Sequence, residues 1–391
     1  MPQESFLETD LNILPSEEKT KFLPFSKGMG AFRFLIGRYG SGKSFLIGLI
    51  RTNALERGFV TSDCDLSPDR RFVGRSGQGL AVYRELMRNL STKASPDYSA
   101  LESILLKWFS DMQISIMAEK KLELDTSELE DAVKAKIFEV LEKLRHYVNG
   151  FEFTKVLTAF YTAYKNNDDE LKNDALKWLR GEFSTKTEAR KSRINVSSIV
   201  DDTNWYEYIK LYSILFRQIG YNGFVIFIDE CVNLYKIPNR ISRENNYEKI
   251  LSMFNDTLQG KAEGTAIILG GTPQFLEDER RGLYSYDALK SRLKDGTFSK
   301  EGYVDFHAPV IRINRLTDDE LFALIVRIKS LYEVYHSAPS RVTDDNILTF
   351  LQICYDKIGA DSLLTPREVI RDFLNVLNIL NQNPETTFEE V

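Results

Sequence analysis

Gly37-Arg38-Tyr39-Gly40-Ser41-Gly42-Lys43-Ser44 satisfies the spacing G-x-x-x-x-G-K-[ST] and stands between two apolar stretches. Phe32-Arg33-Phe34-Leu35-Ile36 reads as a short buried strand, and Phe45-Leu46-Ile47-Gly48-Leu49-Ile50 opens a helix that runs to about Glu56. A glycine-rich loop at such a junction turns backbone N–H groups toward phosphates at the positive end of the helix dipole. Gly37, Arg38, Tyr39, Gly40, Ser41, Gly42, Lys43, Ser44 and Phe45 are therefore expected to form a nucleotide site. Lys43 would reach the β- and γ-phosphates and the Ser44 hydroxyl would ligate Mg²⁺; ATP and Mg²⁺ are the expected cofactors once the later motifs are added. Alone, these residues suit a kinase, a GTPase or an ATPase equally well.

A second signal narrows that choice. Phe224-Val225-Ile226-Phe227-Ile228 is a continuous apolar run that ends in Asp229-Glu230. Asp229 is expected to hold Mg²⁺ through water, and Glu230 to orient and deprotonate the water that attacks the γ-phosphate. The next apolar run, Ala266-Ile267-Ile268-Leu269, ends in Gly270-Gly271-Thr272-Pro273. Thr272 is placed to offer its hydroxyl to that water or to the γ-phosphate, similar to sensor 1 of AAA+ ATPases, although a Gly-Gly-Thr-Pro sequence is also a good chain reversal.

Phosphoryl transfer also needs positive charge on the developing oxygens. Arg292, in Asp287-Ala288-Leu289-Lys290-Ser291-Arg292-Leu293, resembles the S-R-[FL] segment that carries the arginine finger of many AAA+ proteins. Arg280 and Arg281 are alternatives, and any of the three also suits a surface ion pair. Arg367 follows Thr365 in the first turn of a C-terminal helix, where sensor 2 of AAA+ ATPases sits; an ordinary surface arginine beside Glu368 and Asp372 is the other reading. A finger acting in trans would require an oligomer. The expected catalytic set is Lys43, Glu230, Thr272, Arg292 and Arg367, with Ser44 and Asp229 as metal ligands.

Continuous apolar strands imply burial on both sheet faces, and helices between them imply a parallel sheet. The expected fold class is α/β: a P-loop NTPase core of the AAA+ and origin-recognition type, with a helical insertion and an all-helical C-terminal lid. Residues 1–30 read as an N-terminal arm, 31–314 as the ATPase domain with its insertion at about 91–219, and 315–391 as the lid. Phe59-Val60-Thr61-Ser62-Asp63 reads as a second strand, followed by an arginine- and glycine-rich loop from Leu66 to Gly79 and a helix to Leu90. Gly181 to Ser192 reads as a charged connecting stretch. Ser127 with Glu130 and Asn204 with Glu207 have the spacing of capping boxes, as do Thr317 with Glu320 and Thr365 with Glu368.

The 391 residues carry a net charge of -6, and the pI is near 5.5, which excludes coating of nucleic acid by bulk electrostatics. Contact with double-stranded DNA would be local. Arg70, Arg71 and Arg75 form one candidate cluster, and Lys186, Arg190, Lys191 and Arg193 another; either also suits ion pairing with nearby acids. Cys64, Cys231 and Cys354 match neither a disulfide framework nor a zinc spacing and are expected to be buried thiols. The three histidines are scattered. No stretch has the apolar length of a membrane span, and the first residues lack the pattern of a signal peptide, so the expectation is a cytoplasmic protein without membrane contact.

Three segments together carry a family resemblance. Gly37 to Phe45, Asp65-Leu66-Ser67-Pro68-Asp69-Arg70-Arg71-Phe72 and Tyr83-Arg84-Glu85-Leu86-Met87-Arg88-Asn89-Leu90 resemble the ATP-binding BrxD family of bacteriophage exclusion (BREX) systems. The middle segment is the specific one. The resemblance extends through Phe227-Ile228-Asp229-Glu230, Ile268 to Pro273 and Thr365 to Glu368. It implies a prokaryotic AAA+-like ATPase encoded with other defence proteins and related in architecture to origin-recognition and helicase-loading ATPases. It adds support for Lys43, Ser44, Asp229 and Glu230, and less for Thr272 and Arg367.

The leading expectation is an ATPase whose nucleotide cycle drives assembly on DNA or with partner proteins in antiphage defence, as a homo- or hetero-oligomer. The alternative is a slowly hydrolysing, ATP-dependent switch or loader for a helicase or nuclease partner. A small-molecule kinase fits less well, because the Asp229-Glu230 pair suits water activation and no acceptor pocket is legible.

Overall fold

The computed structural model describes residues 30–74, 77–124, 126–294, 305, 308–314, 316–358 and 365–391. Apart from Gly30, the expected N-terminal arm lies outside these residues, as does Arg75.

In chain order the elements begin with β1 (Ala31–Ile36), α1 (Lys43–Glu56), β2 (Val60–Asp65) and α2 (Gln78–Arg88). Six helices follow: α3 (Leu101–Lys120), α4 (Ser127–Arg145), α5 (Gly150–Asn166), α6 (Asp169–Leu179), α7 (Lys186–Lys191) and α8 (Trp205–Gln218). The α/β pattern then resumes with β3 (Phe224–Asp229), α9 (Val232–Tyr235), α10 (Arg240–Leu258), β4 (Thr265–Gly271), α11 (Pro273–Glu277), α12 (Asp287–Leu293) and β5 (Val310–Arg312). The chain closes with α13 (Asp318–His336), α14 (Asp344–Ile358) and α15 (Pro366–Gln382).

The strands form one five-stranded parallel sheet in the order β2-β3-β4-β1-β5. β2 pairs with β3 from Val60↔Phe224 to Asp65↔Asp229, and β3 with β4 from Phe224↔Thr265 to Ile228↔Leu269. Every residue of β4 is buried, as are the five apolar residues of β3. A strand covered on both faces has no polar side to alternate with, which is why these segments read as unbroken apolar runs. Each such Ile, Leu, Val or Phe contributes about 1.5–3 kcal/mol. The order reverses direction at β1, and in open parallel sheets ligands bind beyond the carboxyl ends of the strands at that switch point. The Gly37–Ser44 loop leaves β1 at its carboxyl end.

The chain separates into two units. One contains the residues up to Leu35 together with Ile47–Ile311; the other contains Ile36–Leu46 together with Arg312–Val391. The phosphate-loop segment thus groups with the C-terminal helices.

In the first unit the helical insertion has an aromatic core. Trp178 meets Tyr208 edge-on at 5.3 Å, and Phe153 meets Tyr212 at 5.0 Å. Tyr83 of α2 reaches into it: the Tyr83 and Tyr212 hydroxyls both donate to the Leu179 carbonyl, at 2.7 and 3.0 Å. Arg84 Nε donates to the Gly181 carbonyl at 2.6 Å. Tyr83 and Arg84 thus tie α2 to the insertion. Asp202 closes the other end of α2, accepting the Gly77 and Leu80 N–H groups at 2.8 Å each. The charged stretch before Ser192 holds α7, capped by Thr185, whose hydroxyl accepts the Glu188 N–H at 3.1 Å.

Two expected caps differ. Thr126, not Ser127, caps α4, accepting the Leu129 N–H at 3.3 Å. Asn204 stands at the start of α8, but its side chain turns back to accept the Asp201 N–H at 2.8 Å, closing an Asp201–Asn204 turn. In the second unit both C-terminal capping boxes form, Thr317 with Glu320 and Thr365 with Glu368. Helices α13–α15 pack Leu321, Ile325, Ile347, Phe350, Val369 and Phe373 into their own core. Arg341 ties the end of α15 down, donating to the carbonyls of Pro384 at 2.6 Å and Asn383 at 3.1 Å.

Candidate functional site

Within the C-terminal unit the phosphate loop runs from β1 to α1. Gly40 has φ 75° and Gly42 φ 92°, left-handed values that a side chain would strain. The Lys43 ammonium folds back onto its own loop, donating to the Gly37 and Arg38 carbonyls at 2.9 and 2.8 Å, and lies 5.6 Å from the Tyr39 ring centre. Ser44 is exposed in the first turn of α1, with Tyr39 and Phe45 also exposed beside the loop. Ser41 Oγ is buried without a hydrogen-bond partner among the described residues. A Cβ built on Gly42 would meet nothing within 4 Å, so this part of the loop is open. Left-handed glycines, a lysine ammonium on the loop and a hydroxyl at a helix N-terminus fit a polyphosphate with its divalent cation.

Arg367 belongs to the same unit as this loop. Arg367 is exposed in the first turn of α15, two residues after Thr365. Thr365 touches the loop itself: a Cβ on Gly40 would lie 2.7 Å from its Oγ1.

Within the sheet unit, adjacent strand ends gather Asp229, Glu230 and Thr272. Glu230 adopts φ 56°, an uncommon conformation for a residue with a side chain, and its N–H donates to Asp229 Oδ1 at 2.8 Å. The Cys231 N–H donates to the Gly270 carbonyl at 3.0 Å, and the Leu66 N–H to the Asp229 carbonyl at 3.0 Å. Asp65 ends β2 in register with Asp229. Loss of solvent first, and the Asp229 carboxylate second, hold the Asp65 carboxyl above its ordinary range, with Arg70 acting in the opposite direction. Burial pushes the Cys64 thiol up to about 12 and raises the Cys231 thiol as well.

Thr272 lies between β4 and α11, and Gly270-Gly271-Thr272-Pro273 is not a reversal. The strand continues through Gly271, Thr272 caps α11 by accepting the Phe275 N–H at 3.3 Å, and Pro273 takes the first helical position. The Thr272 hydroxyl keeps its own proton to donate.

The three candidate finger arginines separate by environment. Arg281 is built into the fold, donating to the Tyr235 and Ile237 carbonyls at 3.2 and 3.3 Å with its guanidinium 5.4 Å from the Tyr235 ring centre. Arg280 is exposed. Arg292 is exposed on α12 and donates to the Ala288 carbonyl of its own helix at 2.7 Å.

The basic clusters separate in the same way. Arg70 Nε donates to the Asp65 carbonyl at 3.0 Å, and its Nη1 lies 3.4 Å from Glu85. Arg193 pairs with Asp168 at 2.6 Å and Glu170 at 3.4 Å. Arg71 is half-buried, while Lys186, Arg190 and Lys191 are exposed on α7. The Leu66–Gly74 loop is further clamped by Asn246, which exchanges two 3.0 Å hydrogen bonds with the Val73 backbone, and by Asn233, which donates to the Leu66 carbonyl at 2.8 Å. These two asparagines lie far from the loop in sequence, and no local pattern marks them.

The family model described as BREX system ATP-binding protein BrxC/D matches residues 21–391. The chain belongs to this family. Membership in BrxC/D assigns ATP binding to the chain and places it among the proteins of BREX defence systems, as the BrxD resemblance implied. No curated protein matches the chain. Among the described residues of this BrxC/D chain, no helix is long and apolar enough to cross a membrane.

Proposed function

We propose that this BrxC/D chain hydrolyses ATP and uses the cycle to assemble on DNA or with other proteins of its defence system, in the cytoplasm and as an oligomer. The observation that carries the reading is the end of β3: Asp229 and a left-handed Glu230, joined by a 2.8 Å hydrogen bond, with Thr272 ending the neighbouring strand. A structural acid pair at a strand end has no need of a strained backbone, and such strain concentrates where geometry serves chemistry.

The roles follow from the residue chemistry. Gly40 and Gly42 let the loop turn its N–H groups toward phosphate oxygens, and Lys43 exchanges two carbonyl partners for the β- and γ-phosphates. Bound Mg²⁺ supplies neutralisation of the phosphate charge. Ser44 and Asp229 are the residues that would hold it. Glu230 orients the attacking water and takes its proton, and the Thr272 hydroxyl donates to that water or to the γ-phosphate. Arg367 couples the C-terminal helices, acting as a lid, to the nucleotide. Arg292, exposed on α12, stabilises transferred charge in a neighbouring copy, which supports slow turnover by isolated copies and faster turnover on assembly.

Phosphate release by the purified chain, alone and with duplex DNA, tests the proposal. Turnover that needs Mg²⁺ and rises with protein concentration is expected. ATP binding without any phosphate release, under all these conditions, would leave an ATP-dependent switch in its place.

A further inference from the structure

Glycine inside a strand weakens it and marks a close approach by something else. Gly270 lies within β4, and its φ is outside the left-handed region, so backbone conformation does not demand glycine there. Space does. A Cβ built on Gly270 would lie 2.3 Å from Asp229 Oδ1, 2.9 Å from its Cγ and 3.4 Å from its Cα. The first two distances are well inside van der Waals contact. The Asp229 carboxylate therefore occupies the volume that a side chain at position 270 would take.

The other flank of Asp229 explains why this matters. Asp65 stands in register with Asp229 on β2, so a carboxylate turning toward that strand meets a like charge. On the β4 side it meets no side chain at position 270 and accepts the Glu230 N–H on Oδ1 at 2.8 Å. Gly270 also holds the next residue, since its carbonyl accepts the Cys231 N–H at 3.0 Å. Any residue at 270 would offer that carbonyl; only the missing side chain, acting on Asp229, is particular to glycine.

We infer that Gly270 is a positioning residue: its missing side chain seats the Asp229 carboxylate against β4, and the Oδ1 to Glu230 hydrogen bond then sets both acids at the end of β3. The inference rests on the reading of Asp229 as the Mg²⁺-holding acid. With alanine at 270 the carboxylate must rotate toward Asp65 or push the strands apart, and either movement breaks the bond to the Glu230 N–H.

The test combines a stability cycle with a metal titration on the full chain. Thermal midpoints are compared for the native protein, Gly270→Ala, Asp229→Ala and the double variant. Gly270→Ala is expected to lower the midpoint in the native background and to lower it much less in the Asp229→Ala background, where Oδ1 and Cγ, the two atoms it would clash with, are gone. Equal losses in both backgrounds overturn the inference. Should Gly270→Ala fail to fold, folding of the double variant supports it and failure of both overturns it. In the titration, binding of a fluorescent ATP analogue is followed against Mg²⁺ concentration. Gly270→Ala is expected to need about ten-fold more Mg²⁺ at the midpoint, with binding in chelator unchanged. Gly48→Ala, inside α1 where a Cβ would meet nothing within 4 Å, raises the thermal midpoint through helix propensity and leaves the Mg²⁺ midpoint unchanged. A Mg²⁺ midpoint unmoved by Gly270→Ala contradicts the positioning role. Nucleotide binding indifferent to Mg²⁺ in the native protein instead removes the metal reading of Asp229, and the stability cycle still decides whether the carboxylate fills the space at Gly270.

Discussion

Thr365 rests on the Cα of Gly40: a Cβ placed on Gly40 would lie 2.7 Å from the Thr365 hydroxyl oxygen and 2.8 Å from its Cβ. The same hydroxyl donates to Glu368 at 2.8 Å and starts α15. Gly40→Ala adds a left-handed penalty of about 1–2 kcal/mol to this clash. It is expected to lower the melting temperature and to weaken ATP binding. Thr365→Ala removes the helix cap at a cost of about 1 kcal/mol, whereas Thr365→Ser keeps the cap and stays close to native. Denaturant melts and nucleotide titration of the three variants check both statements.

Thr272 carries a structural and a proposed chemical duty on one hydroxyl. Thr272→Ser keeps both, so its stability and turnover stay near native. Thr272→Val loses the cap on α11 and the donor to the reacting groups, with turnover falling about 10²–10³-fold. Steady-state phosphate release beside thermal melts separates the two losses, because the cap alone lowers the melt without touching kcat at low temperature.

DNA binding, where present, is expected to run through α7 and not through the Leu66–Gly74 loop. Arg70 is already engaged with Glu85 and the Asp65 carbonyl, while Arg190 and Lys191 are exposed. Reversing both charges, R190E with K191E, weakens duplex binding and lowers the salt slope by about 0.9 for each phosphate that is no longer neutralised. Arg70→Ala leaves that slope unchanged. Fluorescence anisotropy over a salt series reads the difference.

The cysteines give a pH signature. Burial raises the Cys64 thiol from its ordinary 9.0 to about 12. The folded state therefore retains a proton that the unfolded chain releases, so this contribution is complete below pH 9.0 and is lost as pH rises toward about 12. Cys64→Ala flattens the alkaline decline in stability. All three cysteines are buried, so a thiol reagent at pH 8 labels the native protein far more slowly than the protein in denaturant.

The sequence made the sheet legible because β3 and β4 are covered on both faces, and a strand in that setting must be apolar throughout. The Gly37–Ser44 spacing was equally plain, since Gly40 and Gly42 are needed for backbone conformation and Lys43 and Ser44 are the residue types proposed to meet phosphate and Mg²⁺. Gly270 was readable only as part of a turn, because its reason is a neighbour 41 positions upstream, Asp229, brought alongside by strand pairing. The clamp of Asn246 on Val73 is hidden for the same cause. The cap at Ser127 failed by one residue because Thr126 offers the same hydroxyl one position earlier. Arg292 stands apart from Arg280 and Arg281 in sequence by its S-R-L segment, whereas Arg281 is set apart only in the structure, by the carbonyls and ring around it.

Phosphate release and ATP binding by Glu230→Gln, compared with the native chain under identical Mg²⁺ and protein concentrations, test the central claim most directly. Loss of the base with retention of the phosphate loop predicts ATP affinity within a few-fold of native and turnover reduced about 10²–10⁴-fold. Native turnover in Glu230→Gln would contradict the assignment of the β3 acids as the hydrolytic pair.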